Sequence, residues 1–534
     1  NYKHLEEFGW IKFDLLGLET LRIIERAISL LLKNQNGVEP TFEEVKDWFE
    51  SRMSPKVINF DDQKVYKNVY HAGKWAAVFQ CTQRGAQALF KRARPESLVD
   101  IATLTSIYRP GPLSAKVDKL YISNKKNPGS IDYGHPLIKE VLEETYGCII
   151  FQEQVMALCN IVAGIPKAEC NAMRKMMKPV GSGNENVKKA RTLKKKFLDG
   201  AIANGVKKEI AEDLYEKILY FAGYGFNKSH AVSYAVNSFW CAWLLTYHEQ
   251  EWIQAYLEAV SGNPKKLSKA LSEVKGLGYK IVKIDINMAE KHWTCVGDKT
   301  LMPSFLSCKG VGETAVDEIL EKRPYTSIET MLYNENGSWK HSGFNKRAID
   351  SLIKIKAFDS LNAVGESSQF KSYKQMHSVL VDNWGVIKGH TKKDPFRGKN
   401  KLKEILLEET PEEWSHKETM EFEQNLLGTI NLEALIPTKL LDKLSEKSIY
   451  SLDDWKAKDL YWFMVVDVMP KLTKNKRPYL LLRGTGSNGK VNRIFCWGTP
   501  KDCNLDPYTF CVAEVDKNDF GMSTNWNKIK TFNI

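Results

Sequence analysis

The chain has 534 residues, 43% hydrophobic and 27% charged, with a formal net charge of +12. That length gives about three or four domains with sizeable cores, in the composition of an ordinary soluble globular protein. No apolar run approaches the about 18 residues of a membrane span, the start does not read as a signal peptide, and the sequence offers no Walker A loop, H-E-x-x-H or G-x-S-x-G motif to argue for the chemistries those motifs carry.

The positive charge attracts a polyanion at long range, although many basic proteins bind nothing acidic, so local motifs decide. The ten cysteines show no C-x-x-C and no zinc-ligand spacing with histidine. Cys159 and Cys241 sit in apolar stretches, as buried thiols do in a reducing compartment. The start, NYKHLEEFGW, has no initiator methionine and is expected to continue something longer.

Residues 10–16 alternate as a strand does, so Ile11, Phe13 and Leu15 would share one face and Lys12 and Asp14 the other. A helix is predicted from Glu19, with Leu21, Ile24, Ile28 and Leu31 at helical spacing. From about 65 to 285 the pattern is mostly helical, broken at YRPGPL and AGYGFNKSH. Basic residues crowd AMRKMMKP, which holds Arg174 and Lys175, and NVKKARTLKKKFLDG, which holds Lys188, Lys189, Arg191, Lys194, Lys195 and Lys196. Alone, such a run is ordinarily a solvated helix face.

In LSCKGVGETAVDEILEK the turn Lys309-Gly310-Val311-Gly312 opens a helix in the manner of a helix-hairpin-helix, whose N-terminal amides can hold a phosphate. GFNKRAIDSLIKIKAFDSL lacks those glycines and has the shape of a degenerate partner. Residues 363–415 are polar and lysine-rich and read as a linker; KETMEFEQNLLGTINLEALIP reads as a helix and a stop. YWFMVVDVM, YLLLRG, NRIFCWG and FCVAEVD are strand-like and predict a small OB-type barrel. Lys471, Lys474, Lys476 and Arg477 cluster at one of its turns, and Tyr479 and Trp497 are either stacking platforms or core fillers.

Taken in order, KFDLLGL, VFQCTQRGAQALFKRARPESLVDIATLTSIYRPGPL, YGCIIFQEQVM, MRKMMKP, FAGYGFNKSHAVSYA, KGVGE and the terminal barrel resemble the α subunit of bacterial DNA polymerase III, the C-family replicative polymerases, over nearly the whole chain. The resemblance implies a multidomain, mainly α fold. Residues 1–18 would be the C-terminal palm strand, 19–285 the fingers, 286–362 a helix-hairpin-helix domain, 363–415 a linker, 416–450 a helical connector and 451–534 the OB barrel. It also implies a DNA-directed DNA polymerase acting in the cytoplasm of a bacterium or a phage-infected cell, with primer–template DNA and dNTPs as ligands.

Asp14 matches one of that family's three catalytic aspartates. The other two, from a P-D-x-D-x-D segment, have no counterpart here. Asp61-Asp62 is the nearest pair, and adjacent carboxylates point to opposite sides of a strand, so it reads as a solvated turn or helix start. Phosphoryl transfer needs two Mg²⁺ ions about 3.5–4 Å apart, and one carboxylate cannot clamp both. The remaining ligands are expected from an N-terminal part carrying the PHP domain, most of the palm and the thumb, without which the chain should not polymerise.

The resemblance places Lys12, Arg174, Lys175, Arg109, Asn227, Lys228 and His230 at the nucleotide. It places Lys188, Lys189, Arg191, Lys194, Lys195, Lys309, Gly310, Gly312, Lys474 and Arg477 on DNA. MMKP departs from the family's usual residues after the basic pair. A sliding-clamp peptide has only a weak match, QMHSVL at 375–380. Two other readings stand beside this one. A non-catalytic DNA-binding protein derived from a polymerase would have no use for a metal ligand, and a hairpin-type DNA glycosylase would need an aspartate at a fixed distance after KGVGE that TAVDEILEK does not offer.

Overall fold

The structure, a computed structural model, describes residues 8–532 apart from 11–16, 177–183, 223–224, 390–393, 409–411, 429, 431, 433–435, 437, 454–458, 488, 490, 501–504 and 519–520. For 172–176, 184–191, 222, 438 and 518 it describes the backbone element alone. The chain divides into two compact units, Asn1–Trp252 and Ile253–Ile534. Asp14 and Lys12 lie outside the described residues.

The first unit is built of helices. Helix α1 (Glu19–Asn36) buries Ile23, Ile24, Ala27, Ile28, Leu30 and Leu31 and ends where Gly37 takes a left-handed φ of 77°. Leu21, expected on that face, is 45% exposed, because it lies at the edge of the stripe in the first turn. Helix α2 (Leu98–Ile107) starts at the Ser97 cap and packs against a long helix described below; α3 (Val117–Lys126) follows the YRPGP turn. Helices α4 (Lys167–Met176), α5 (Asn184–Ala203) and α6 (Lys208–Ala222) share a core that includes Val155, Leu158, Phe197, Leu214 and Ile218. Helix α7 (Lys228–Tyr247) runs against α2, and its buried Ala231, Ala235, Ser238 and Ala242 keep that face thin enough for close approach.

In the second unit, α8 (Glu313–Lys322) and α9 (Lys346–Lys354) lie in one hydrophobic core with Val311, Phe344, Ile349 and Leu352. Residues 363–415 differ from the linker expected of them. Tyr373, Met376, Val379, Leu380, Ile387 and Leu402 are buried in that same core, and a helix spans Arg397–Glu408. Sparse apolar residues at helical spacing suffice there, although the composition between them is polar. QMHSVL is part of this packing: Met376, Val379 and Leu380 are 0% exposed and Gln375 is 5% exposed, so a partner would reach this peptide only after it left the core.

The C-terminal strands close on themselves. We number them β1 (Asp459–Leu472), β2 (Pro478–Thr485), β3 (Val491–Trp497), β4 (Phe510–Asn518) and β5 (Gly521–Asn525). β1 pairs with β2, β2 with β3, β3 in parallel with β5, β5 with β4, and β4 back with β1. The long β1 serves both partners because a register shift between Val465 and Asp467 turns it. This closed five-strand barrel is consistent with an OB-type fold. Tyr461, Phe463, Leu480, Leu482, Ile494 and Cys496 fill its interior. Helix His416–Leu427 contributes Met420 to a second apolar layer that covers Trp462, Met464 and Phe510 of the barrel.

Among the described residues no helix is long and apolar enough to cross a membrane. The described cysteines are free thiols. Burial pushes Cys159 and Cys241 up to about 12, so both stay protonated as small apolar fillers.

Candidate nucleotide and nucleic-acid interface

Arg109 follows α2 in extended conformation, and Pro110 opens the next short helix, where its fixed φ and missing N–H cost nothing. The flanking helices are locked together. Asp100 of α2, 2% exposed, accepts hydrogen bonds from Lys125 Nζ (2.6 Å), Tyr121 Oη (2.5 Å) and the Glu96 amide (2.8 Å). Burial alone would lower the Lys125 pKa, but the Asp100 carboxylate holds it above its ordinary value. Gly85 leaves room for the Tyr108 hydroxyl, which a Cβ there would strike.

The second loop is built from FQEQ and GFNKSH. Phe151 and Phe226 form a parallel bridge, with the Phe226 amide on Ile150 O (3.0 Å) and the Gln152 amide on Phe226 O (2.9 Å). Gln154 Oε1 accepts the Ile150 and Phe151 amides at 2.9 and 3.0 Å. Asn227 caps α7 by accepting the His230 amide at 2.8 Å. The Glu153 carboxylate accepts Asn227 Nδ2 (3.0 Å) and the Lys228 amide (2.8 Å), which sets a negative charge at the positive end of the α7 dipole. Lys228 Nζ donates to both Glu144 oxygens at 2.7 Å.

The structure brings Arg109 and the Asn227–His230 turn together. The Arg109 guanidinium lies 4.9 Å from the centre of the Phe226 ring. His230 stands 5.4 Å from Phe226 and 4.2 Å from Tyr234, and Tyr234 stands 5.0 Å from Phe79. A continuous row of π surfaces therefore runs from Phe79 to Arg109. Glu144, Glu153, Phe226 and Tyr234 were not singled out from the sequence. Tyr234 was discoverable, since it follows His230 by one helical turn; the two glutamates act only through tertiary contacts.

Arg174 and Lys175 lie on α4, and Lys188, Lys189 and Arg191 on α5, in stretches whose side chains are not described. Lys194 donates to Glu216 (2.7 Å) and Lys196 to Glu169 (2.5 Å), while Lys195 is exposed. Asp62 caps the short helix Gln63–Val65 and accepts the Tyr247 hydroxyl at 2.7 Å. Among the described residues no group of three His, Cys, Asp or Glu side chains is placed to hold a metal ion.

At the first hairpin, Gly310 has a φ of 102° and faces the Ser351 hydroxyl, so only glycine fits. Gly312 caps α8 with open space in front of it, and Lys309 is exposed. A second hairpin precedes α9, with Asn345 capping that helix. Glu318 of α8 reaches across to it. Burial is the largest influence on that carboxyl and would raise it, yet the hydrogen bonds from Lys322 and from the Ser342, Phe344 and Gly343 amides bring it down to about 2.

On the barrel, outward residues of β2 and β3 form one surface. Tyr479 lies 4.9 Å from Trp497, and Phe495 stacks on Trp497 at 5.9 Å and 9°. Trp497 is 39% exposed. In the next row, Arg483 and Arg493 sit directly opposite each other, both exposed. Exposed Lys474 and Arg477 lie in the β1–β2 turn at the aromatic end. Like charges across a strand pair repel, so this face is poised for an anion. Aromatic rings beside it suit unstacked bases. The strand alternation that buries Ile494 and Cys496 is what turns Phe495 outward.

Residues 20–205 match the bacterial DNA polymerase III alpha subunit finger domain, and residues 278–367 match a helix-hairpin-helix motif. The DNA polymerase III subunit alpha of Campylobacter jejuni is 35% identical over 364 residues, 67% of this chain and 28% of that protein. That of Borreliella burgdorferi is 32% identical over 439 residues, 79% of this chain and 35% of that protein. That of Escherichia coli is 32% identical over 367 residues, 67% of this chain and 30% of that protein. The chain spans about a third of the length of the curated relatives it matches.

Proposed function

We propose, from the premise that this chain is a portion of a polypeptide of the bacterial DNA polymerase III α type, that it supplies the nucleotide- and DNA-handling part of template-directed DNA synthesis. Arg109, Asn227, Lys228 and His230 face the nascent base pair, with Lys12, Arg174 and Lys175 on the triphosphate. Lys188, Lys189, Arg191, Lys194 and Lys195 follow a duplex backbone. Lys309, Gly310 and Gly312 present the first hairpin to a phosphate, and the barrel face holds single-stranded template, with Lys474 and Arg477 on its backbone. In this reading the fingers would span 19–285, the hairpin domain 286–362, the connector 416–450 and the barrel 451–534, with 363–415 joined to the hairpin core in which its buried residues pack. Two Mg²⁺ ions would be shared between Asp14 and aspartates outside this chain, because one carboxylate cannot clamp both ions. Bound there, they would activate the primer hydroxyl and hold the leaving group. What this chain's own residues do is orient: Glu153 fixes the α7 N-terminus, and the Asp100–Lys125 pair fixes the helices on either side of Arg109. The polymerase acts in the cytoplasm of a bacterium or phage-infected cell; the PHP, palm and thumb portion is its necessary partner.

The observation that carries this reading is the meeting of Arg109 with the Asn227–His230 turn, which lie far apart in sequence and share one row of stacked rings. Anisotropy of a labelled primer–template titrated with the chain tests it. Binding should fall steeply with salt and weaken in an Arg109→Ala/His230→Ala double variant. Absence of binding, or binding that the double variant leaves untouched, contradicts the reading.

A further inference from the structure

The two hairpins are copies with different chemistry. Aligning Gly310 with Gly343 also aligns Val311 with Phe344 and Gly312 with Asn345, and each pair shares the same degree of burial. Their packing is reciprocal. A Cβ on Gly310 would meet Ser351 and Arg347, and a Cβ on Gly343 would meet Glu318 and Thr314, the aligned positions. A pseudo-two-fold axis thus relates the hairpins, so both tips are candidates for the two strands of a duplex.

Five amides around the second hairpin turn are already occupied. Glu318 accepts the Ser342, Gly343 and Phe344 amides at 2.9, 2.7 and 2.7 Å. Asn345 Oδ1 accepts those of Arg347 and Ala348, both at 3.1 Å. These donors are the ones a hairpin would otherwise turn to a phosphate, and the carboxylate beside them repels a second anion. The counterpart of Glu318 in the first hairpin is Ser351, a neutral hydroxyl that donates to Lys309 O at 2.9 Å. The tips differ too. Where the second hairpin carries exposed Lys346 and Arg347, the first carries Glu313, which lies 3.5 Å from Lys291, and Thr314.

We propose that the second hairpin grips duplex DNA chiefly through the side chains of Lys346 and Arg347, since Glu318 and Asn345 hold the amides of Ser342, Gly343, Phe344, Arg347 and Ala348. This rests on the DNA-handling reading above. The grip is therefore electrostatic and blind to sequence, and each phosphate contact made this way releases counterions.

The test is duplex binding by the full chain, read as anisotropy of a labelled blunt duplex across a salt series. For wild type, log affinity should fall linearly with log salt. A Lys346→Ala/Arg347→Ala variant should lower that slope by about 0.9 per lost contact, equally for unrelated duplex sequences. Both side chains are exposed, so folding is unaffected. A wild-type slope in the double variant overturns the proposal while the DNA-handling reading stands. No duplex binding by wild type overturns both.

Discussion

In the first unit three lysines of the proposed nucleotide and duplex surfaces and their flank face carboxylates of the same chain: Lys228 faces Glu144, Lys194 faces Glu216 and Lys196 faces Glu169. On the barrel, Arg483 and Arg493 face each other, beside rings that are open to solvent. The first arrangement holds a loop in one geometry before any ligand arrives, which suits a site that must align reacting groups. The second leaves charge and aromatic surface unspent, which suits a flexible strand that must be gripped and released. Similar residue types thus do opposite things, and the partner across the gap decides which.

Variants that remove an internal partner should therefore damage the first unit's stability, and variants of the barrel face should damage binding alone. The largest effect is expected from Asp100→Ala. It leaves the buried Lys125 ammonium with only the exposed Glu96 carboxylate at 3.5 Å and should cost about 3 kcal/mol, read as a lower denaturant midpoint for the first unit. Single-strand binding by the barrel should survive it. Trp497→Ala should weaken binding of a single-stranded oligonucleotide by about 1–3 kcal/mol with an unchanged thermal midpoint; a destabilised barrel would mean that the ring is core after all.

Glu318 sharpens the contrast inside the second unit. Its carboxyl is lowered from 4.5 to about 2, so its stabilisation is complete above pH 4.5 and is lost as pH falls towards 2. Wild type should lose on the order of 2 kcal/mol over that range, and Glu318→Gln should show a shallower acid limb in urea titrations. The smallest effect belongs to Glu144→Gln. Its pair with Lys228 is about one-third exposed on both sides, so stability should change by less than about 1 kcal/mol, while a triphosphate probe should bind more readily to the released lysine.

Much of the fold was legible in the sequence. Strands β1 to β4 announced themselves as apolar, strand-like runs bounded by turn residues, whereas β5, GMSTN, has no apolar run and is defined by its parallel pairing with β3. The helices within 363–415 were hidden because a few residues such as Met376 and Leu380 anchor an otherwise polar stretch. The second hairpin looked degenerate for a reason visible only in three dimensions: Asn345 supplies by its side chain the cap that stands where the first hairpin has Gly312. Arg109 and the FNKSH turn were found as motifs, but the glutamates that hold them were not, since Glu153 meets Lys228 only after the chain has folded.

The most direct measurement is Mg²⁺-dependent primer extension by the purified chain, alone and with a separately produced polypeptide that carries the P-D-x-D-x-D segment, beside an Asp14→Asn control. The account predicts no extension by the chain alone, extension by the mixture, and none with Asp14→Asn. Extension by the chain alone would place the remaining carboxylates within it, and a mixture that binds primer–template without ever extending it would leave a DNA-binding protein in place of a polymerase portion.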